Sequence, residues 1–277
     1  MKYKIFSILT CMFLFSCSSD GSDEATGNNN ENPSDGNALL VSEISHSDSE
    51  ISDYSYKSKF FYDGYKIERI ENESYYNGAL SSTSSVVFVY INNLISRIDE
   101  YDSYNNNSFT RTELIYDSQG RLIGNSESCY SNGQLVQDAC DYTLDFTYNS
   151  NGIISFVQDD SEISNGSIQL DNNNNIISIN STTGSDSYTA EYEYDNYNSP
   201  FKNIVGNLPL LFFPQYINYL ELELASFTNN CTKITYESEY GSESINFAYD
   251  YNEDGYPRNI IVTYSDDDYE EFITLKY

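Results

Sequence analysis

Residues 116–123 read YDSQGRLI, and variants of this phrase return along the whole chain of 277 residues. The position held by its tyrosine recurs at intervals of 22 to 32 residues, except for one final interval of 55 residues. Because 55 is about twice the usual spacing, the sequence indicates one degenerate repeat inside the long interval. The recurring positions are Tyr62, Tyr90, Tyr116, Tyr148, Leu170, Tyr194 and Tyr249.

Apolar and polar residues alternate before these positions. Leu144, Phe146 and Tyr148, for example, alternate with Asp145 and Thr147. A period of two predicts a β-strand with one buried face. The Asp, Asn and Gly residues that follow supply the positive φ angles that tight hairpin turns require. Each repeat is therefore predicted to be a β-hairpin, and the series an antiparallel meander.

The predicted fold class is all-β, an antiparallel β-meander of repeated hairpins that forms a curled sheet or a barrel. A membrane-spanning barrel would turn its apolar side chains outward to the lipid over strands of about 10 residues. The polar faces here are densely acidic and the strands look short. These features favour a soluble sheet or barrel with an aromatic interior.

The phrase resembles the core of the YD (RHS-type) repeat, whose units read Tyr-Asp-x-x-Gly-Arg-Leu. Tyr116, Asp117, Gly120, Arg121 and Leu122 match that pattern directly. The chain as a whole is similar to a family of Bacteroidetes lipoproteins of unknown function, in which EYDNYNSPFKNI precedes an apolar stretch and then FAYDYNEDGYPRNIIVTYSD. This resemblance implies a porin-like β fold in a soluble protein.

The N-terminus predicts a lipid anchor. Lys2 and Lys4 precede an apolar run at residues 5–15, which is too short to cross a membrane and has the layout of a signal peptide. The run ends at Leu-Phe-Ser-Cys, which resembles a bacterial lipobox with Cys17 as the lipidated residue. We expect a signal peptide at residues 1–16, a flexible acidic tether at 17–37 and the β domain at 38–277. The alternative is an ordinary signal peptide with an incidental Cys17.

The acidic Ser/Asp cluster behind Cys17 resembles the export signal of lipoproteins that reach the outer face of the outer membrane. We therefore expect the protein to be anchored in the outer membrane and to face the cell exterior. With 43 acidic and 13 basic residues, the formal net charge is −30. This charge argues against partners such as nucleic acid or anionic lipid headgroups, which need a positive surface. The negative charge is compatible with membrane contact through the lipid anchor and with a glycan or protein partner.

Two candidate sites concern metal and disulfide chemistry. Asp250, Asn252 and Asp254, followed by Gly255, match the first half of a calcium loop, although Ile261 stands where that loop needs a glutamate. The alternative is a plain hairpin turn, and no other cofactor is predicted.

Cys129 and Cys140 are predicted to form a disulfide around the turn at Asn132 and Gly133. A two-residue turn there would place Cys129 opposite Val136 instead, so the bond needs a wider loop or a bulge. Pairing of Cys231 with either cysteine, or three free thiols, are the alternatives.

The long interval contains an apolar segment at residues 206–227. Helical spacing of its apolar residues after Pro214 predicts one short helix near residues 214–225. Leu210, Leu211, Phe212 and Phe213 either join the core or form an exposed partner patch. The single histidine, His46, lies near the tether and is expected to be exposed to solvent.

The function that these features favour is a non-catalytic cell-surface lipoprotein that acts as a scaffold or binding module. The first alternative is a secreted hydrolase acting on glycans, because 43 acidic residues always offer some carboxylate pair. The second alternative is a calcium-binding surface module.

Overall fold

The computed structural model describes residues 38–48, 53–102, 108–136, 143–149, 152–159, 164–173, 175–206, 228–265 and 270–277. Every regular element within these ranges is a β-strand. The helix predicted near residues 214–225 lies outside the described residues. In the described part of the chain, no helix has the length and hydropathy needed to span a membrane.

Seventeen strands follow one another along the described chain. They are β1 (Glu43–Asp48), β2 (Tyr54–Asp63), β3 (Lys66–Tyr76), β4 (Ala79–Ile91), β5 (Leu94–Asp102), β6 (Phe109–Tyr116), β7 (Leu122–Ser131), β8 (Gln134–Val136), β9 (Thr143–Tyr148), β10 (Ile153–Asp159), β11 (Ser164–Leu170), β12 (Ile176–Thr183), β13 (Asp186–Tyr194), β14 (Cys231–Ser238), β15 (Gly241–Tyr251), β16 (Pro257–Tyr264) and β17 (Glu270–Lys276).

The strands form a closed antiparallel barrel of 16 strands, which confirms the all-β meander and decides between a curled sheet and a barrel. Apart from β8, each strand pairs with the strands next to it along the chain, and β1 pairs with both β17 and β2, which closes the ring. The short strand β8 stands outside the ring. It pairs with the last residues of β7, while the first part of β7 pairs with β9.

The repeated phrase forms the turns at one end of the barrel, which we call the tyrosine end. Asp117 Oδ1 accepts hydrogen bonds from the N–H groups of Gln119 and Arg121 at 2.8 and 2.9 Å. The Gly120 N–H donates to the Asp117 carbonyl at 3.0 Å, with Gly120 at a φ of 76°. Asp or Asn is therefore needed as the acceptor and Gly as the residue with positive φ. These requirements explain why the phrase recurs.

The tyrosine of the phrase has its own role. The Tyr116 hydroxyl donates to the Ile95 carbonyl at 2.7 Å, which joins the last residue of β6 to the start of β5. We call this contact the phenol–carbonyl bond. It recurs as Tyr62 to Val41 (2.7 Å), Tyr148 to Leu122 (3.0 Å), Tyr249 to Cys231 (2.5 Å) and Tyr277 to Pro257 (2.9 Å). Burial raises the pKa of Tyr62, Tyr116, Tyr148 and Tyr277, so these phenols stay protonated as donors.

The prediction of a degenerate repeat is wrong. Strand β13 pairs directly with β14, and β14 pairs with β15, so the described part of the long interval holds the usual two strands. Its extra residues lie in the connection between β13 and β14. The spacing between repeat positions measures the number of residues and not the number of strands. A long connection therefore increases the spacing as much as an additional hairpin would. The repeat position also continues to Tyr277, which the sequence analysis missed.

Residues 195–206 of this connection cross the tyrosine end, and we call them the cap. Phe201 is buried and packs against Phe60 with ring centroids 6.1 Å apart. The Val205 N–H donates to the Tyr65 carbonyl at 2.8 Å, and the Tyr90 hydroxyl donates to the Val205 carbonyl at 3.2 Å. The cap is thus hydrogen-bonded to hairpins on the opposite side of the ring. It covers the apolar interior at this end.

The two faces of the wall differ in polarity. Inward side chains near the tyrosine end form one apolar core, represented by Ile70, Ile98 and Phe247. Outward positions on the same strands carry charges that pair across strands, such as Lys59 with Glu73 at 2.6 Å. A barrel that spans a bilayer needs an outward apolar band. Ion pairs here occupy part of the outward face, next to exposed apolar side chains such as Phe61, Ile115 and Phe272.

We predict that Tyr116→Phe lowers the free energy of unfolding by about 1–2 kcal/mol, because the Ile95 carbonyl loses its donor in a partly buried setting. The matched control is Tyr240→Phe, since Tyr240 is 75% exposed. Chemical denaturation of both variants measures the difference. Equal stability of the two variants would show that the phenol–carbonyl bond contributes nothing.

Candidate functional site

Polar side chains line the inward face of the wall beyond the apolar core. The Ser58 hydroxyl donates to Asn72 Oδ1 at 2.7 Å, and Asn72 Nδ2 donates to the Ser84 hydroxyl at 3.3 Å. These contacts join β2, β3 and β4. On the other side of the ring, the hydroxyls of Ser164 and Thr183 lie 2.6 Å apart across β11 and β12. The interior therefore combines an apolar floor at the tyrosine end with polar walls above it.

The most strongly polar part of these walls is formed by His46, Tyr56, Tyr264 and Glu271, which we call the His46 cluster. His46 Nε2 lies 2.9 Å from Glu271 Oε2, and both residues are buried. The Tyr264 hydroxyl donates to Glu271 Oε1 at 2.8 Å. The His46 ring stacks on Tyr56 with centroids 5.8 Å apart. Strands β1, β2, β16 and β17 supply these residues where the ring closes.

The geometry of the His46 cluster limits its chemistry. A carboxylate that holds one nitrogen of a histidine is half of a nucleophile–base–carboxylate arrangement. The other nitrogen, His46 Nδ1, is buried and has no hydrogen-bond partner among the described residues. A hydroxyl or thiol nucleophile hydrogen-bonded to His46 is therefore lacking in this part of the chain. The cluster acts as a buried polar contact that joins the first and last strands.

The expectation that His46 is exposed to solvent is wrong, since only 7% of the residue is accessible. The alternation of Ile44 and His46 could have indicated an inward position, because both fall on one face of a strand. Glu271 lies 225 residues away in sequence. Its contact with His46 follows from ring closure, which local sequence does not reveal.

The structure separates the three calcium candidates. Asp250 points outward, where Arg258 Nη2 and Asn259 Nδ2 donate to its carboxylate at 2.9 and 3.1 Å. The Asn252 side-chain oxygen accepts the N–H groups of Asp254 and Tyr256, in the role that Asp117 has in its own turn. Groups of three or more His, Cys, Asp or Glu residues able to hold a metal are absent from the described residues. Calcium binding here stays an untested prediction.

The cysteines are placed in part. Cys129 is disulfide-bonded and lies opposite Val136, the register that a two-residue turn at Asn132 and Gly133 predicts. Cys231 is a buried thiol. Cys140 lies outside the described residues, so its pairing with Cys129 stays a prediction. Cys17 and the patch Leu210, Leu211, Phe212 and Phe213 also lie outside them.

The outer wall carries a charged and aromatic group on β5, β6 and β7. Arg111 donates to both carboxylate oxygens of the buried Asp99, at 2.7 and 3.1 Å. Its guanidinium also lies 5.2 Å from the ring centroids of Phe109 and Tyr130, which stack on each other at 4.5 Å. The two rings cover each other's faces. Together with Arg111 and Asp99 they form a cross-strand contact that stabilises the wall.

No protein-family model and no curated protein matches the chain. Solved structures do match. A porin-like protein from Bacteroides uniformis ATCC 8492 aligns with a TM-score of 0.53 at 12% identity, over 85% of this chain and 97% of that chain. A porin-like protein from Bacteroides vulgatus ATCC 8482 aligns with a TM-score of 0.44 at 14% identity, over 87% and 99%. The first similarity shows a shared porin-like barrel fold.

We predict that His46→Ala lowers the free energy of unfolding by about 1–3 kcal/mol, because the buried Glu271 side chain loses one of its hydrogen-bond partners. The measurement is a double-mutant cycle with Glu271→Ala and the double variant. A coupling of about 1 kcal/mol or more is expected for two buried residues in contact. Additive losses would contradict a stabilising contact between them.

We predict one reactive thiol, Cys231, in the mature protein under denaturing, non-reducing conditions. Cys129→Ser should expose a second thiol, because Cys140 then loses its partner. Thiol titration counts them, and peptide mapping identifies the second thiol. A single thiol in the Cys129→Ser variant would exclude the pairing of Cys129 with Cys140.

Proposed function

We propose that this protein is a non-catalytic binding module held at the outer face of the outer membrane by a lipid on Cys17. The polarity of the barrel wall carries the proposal. Its outward face bears ion pairs, among them Lys276 with Glu43 at 2.6 Å and Arg111 with Asp99 at 2.7 Å. Such a wall is costly to place in hydrocarbon. Attachment to a membrane therefore requires a separate anchor, which the lipobox-like segment ending at Cys17 supplies.

The porin-like neighbour supports a barrel architecture, and its name is not evidence for a channel in this chain. The interior near the tyrosine end is filled by apolar side chains, and the cap covers it. A water-filled pore requires a polar lumen along its whole length, and the apolar floor at the tyrosine end interrupts the polar walls here. We therefore assign the YD-type hairpins of this chain to a barrel that stands in water as a rigid support.

Among the described residues, the two buried carboxylates do not form the pair that glycan hydrolysis requires. Hydrolysis of a glycosidic bond requires two carboxyl groups on either side of that bond. In the described part of the chain, the buried acidic residues are Asp99 and Glu271. Asp99 lies on the outer wall between Arg97 and Arg111, whereas Glu271 lies inside with His46. They occupy opposite faces of the wall, and neither faces the other.

We predict that Cys17→Ala moves the protein from the membrane fraction to the soluble fraction without detergent. The wall needs no lipid contact, so the variant should remain folded in water. Fractionation followed by thermal unfolding measures both properties. Cys11→Ala is the matched control, because this cysteine lies within the apolar run and should leave the protein in the membrane.

Unchanged membrane association of Cys17→Ala would refute the lipid anchor, and a barrel embedded in the bilayer would behave in this way. Protease treatment of intact cells tests the orientation. Degradation of the wild-type barrel in intact cells is expected for surface display, and protection until lysis would contradict it.

A further inference from the structure

One tyrosine of the cap, Tyr197, exposes its ring to solvent among polar groups. Tyr197 is 52% exposed, and its ring stacks on Tyr251 with centroids 4.2 Å apart and planes inclined by 19°. Tyr251 in turn stacks on Tyr249 at 5.7 Å and 17°. Tyr249 packs against the hydrophobic core. The three rings form a nearly parallel column that runs from the core to the surface and ends at Tyr197.

The outermost ring is held rigidly. The Tyr197 N–H donates to Asp195 Oδ1 at 2.9 Å, and its carbonyl accepts a hydrogen bond from Asn229 Nδ2 at 3.2 Å. The Tyr251 hydroxyl donates to the second carboxylate oxygen of Asp195. One carboxylate thus fixes both the backbone of Tyr197 and the ring beneath it. A ring fixed in this way loses little conformational entropy when a ligand binds.

Amide groups surround the column. The Asn198 side chain donates to the Asp254 carbonyl at 3.0 Å and accepts from Lys202 Nζ at 2.9 Å. Asn229 lies on the other side, against the Tyr197 carbonyl. The turn at Gly255 lies beside the ring, since a Cβ atom placed on Gly255 would be in ordinary van der Waals contact with Tyr197 Cδ1 at 3.4 Å. The result is one flat apolar surface bordered by hydrogen-bonding groups.

We propose that Tyr197 is the stacking surface of a binding site for a neutral glycan. Tyr251 covers one face of the Tyr197 ring, so the exposed area lies on the other face and on the ring's edge. The C–H face of a pyranose matches an aromatic ring in size and polarity. Its hydroxyls suit the Asn198 amide, which has a second N–H and a second oxygen lone pair beyond the two contacts given above. The formal net charge of −30 disfavours anionic glycans.

A protein partner fits this site less well. A stable protein interface buries about 800 Å² on each partner and has an apolar centre formed by several side chains. Here one ring is exposed among amides. The proposal specifies a ligand class for the binding module inferred above, and it depends on that function. The Cys17→Ala fractionation tests anchoring independently, so failure of the glycan site would leave that result unchanged.

The chain contains no tryptophan, which allows a selective fluorescent reporter. In the full chain, Tyr197→Trp creates a single indole at the end of the column, and Tyr240→Trp creates one at a distant turn that is 75% exposed. The probes are the neutral hexasaccharides of cellulose, starch, xylan and mannan. We expect at least one probe to change the emission of Tyr197→Trp saturably and to leave Tyr240→Trp unchanged.

Calorimetry with the same probe tests the native residue. Tyr197→Ala should weaken binding by about tenfold or more, the size of effect found when an aromatic side chain that stacks on a nucleic-acid base is removed. Tyr197→Phe should bind like the wild type, because it keeps the ring and removes the hydroxyl. Thermal unfolding of each variant shows whether the fold is intact. If Tyr197→Ala does not fold, the Phe and Trp variants decide the question.

Two results would overturn the proposal. The first is the absence of saturable binding of all four hexasaccharides to the wild type and to Tyr197→Trp. The second is binding by a folded Tyr197→Ala variant with wild-type affinity, which would place the sugar elsewhere on the barrel.

Discussion

The barrel depends on the hydrogen bond between a tyrosine hydroxyl and the backbone carbonyl at the start of a neighbouring strand. At the tyrosine end, turns join β6 to β7 and β2 to β3, but they do not join β5 to β6 or β1 to β2. Tyr116 and Tyr62 supply the missing connections there, through Ile95 and Val41. Turns and phenols thus alternate along part of the ring, whereas Leu170 occupies the tyrosine position after β11 and the Tyr90 hydroxyl donates to Val205 of the cap. Where burial raises the pKa of these phenols, it also keeps the connections intact at any ordinary pH.

Ring closure extends the same scheme to the chain ends. Tyr277, the last residue, donates to the Pro257 carbonyl, while β17 pairs with β1 over the register from Glu43 and Lys276 to Asp48 and Glu271. The His46 contact with Glu271 lies inside this seam, and the ion pair of Glu43 with Lys276 lies outside it. Pairings so distant in sequence are costly in chain entropy and form late. Polar contacts on both faces therefore define the register of the final pairing.

The sequence was sufficient to predict the features that depend on residues close together in the chain. The alternation around Tyr148 predicted strands, and the Asn and Gly residues predicted turns with positive φ, as found at Asn132 and Gly133. It also placed Cys129 opposite Val136 correctly. Sequence could not reveal that Glu271 pairs with His46, because that contact depends on how the ring closes. Nor could it reveal that Tyr251 lies under Tyr197, because that contact depends on the path of the cap. The long interval before Tyr249 led to the wrong prediction of a degenerate repeat. Spacing alone does not distinguish an inserted connection from a degenerate hairpin.

The repeat also indicates where binding groups can lie. In three of its turns, an Asp or Asn side chain just after the strand is used internally: Asp117, Asp171 and Asn252 each accept two backbone N–H groups. Turns built in this way have their best acceptors already occupied. The connection after β13 departs from the pattern, because Asp195 accepts from Tyr197, Asn230 and Tyr251 at once and so presents an aromatic ring to solvent. An inserted segment can diverge without disturbing the ring of strands, and the cap is therefore the part of this barrel in which a ligand site can develop at least cost to the fold.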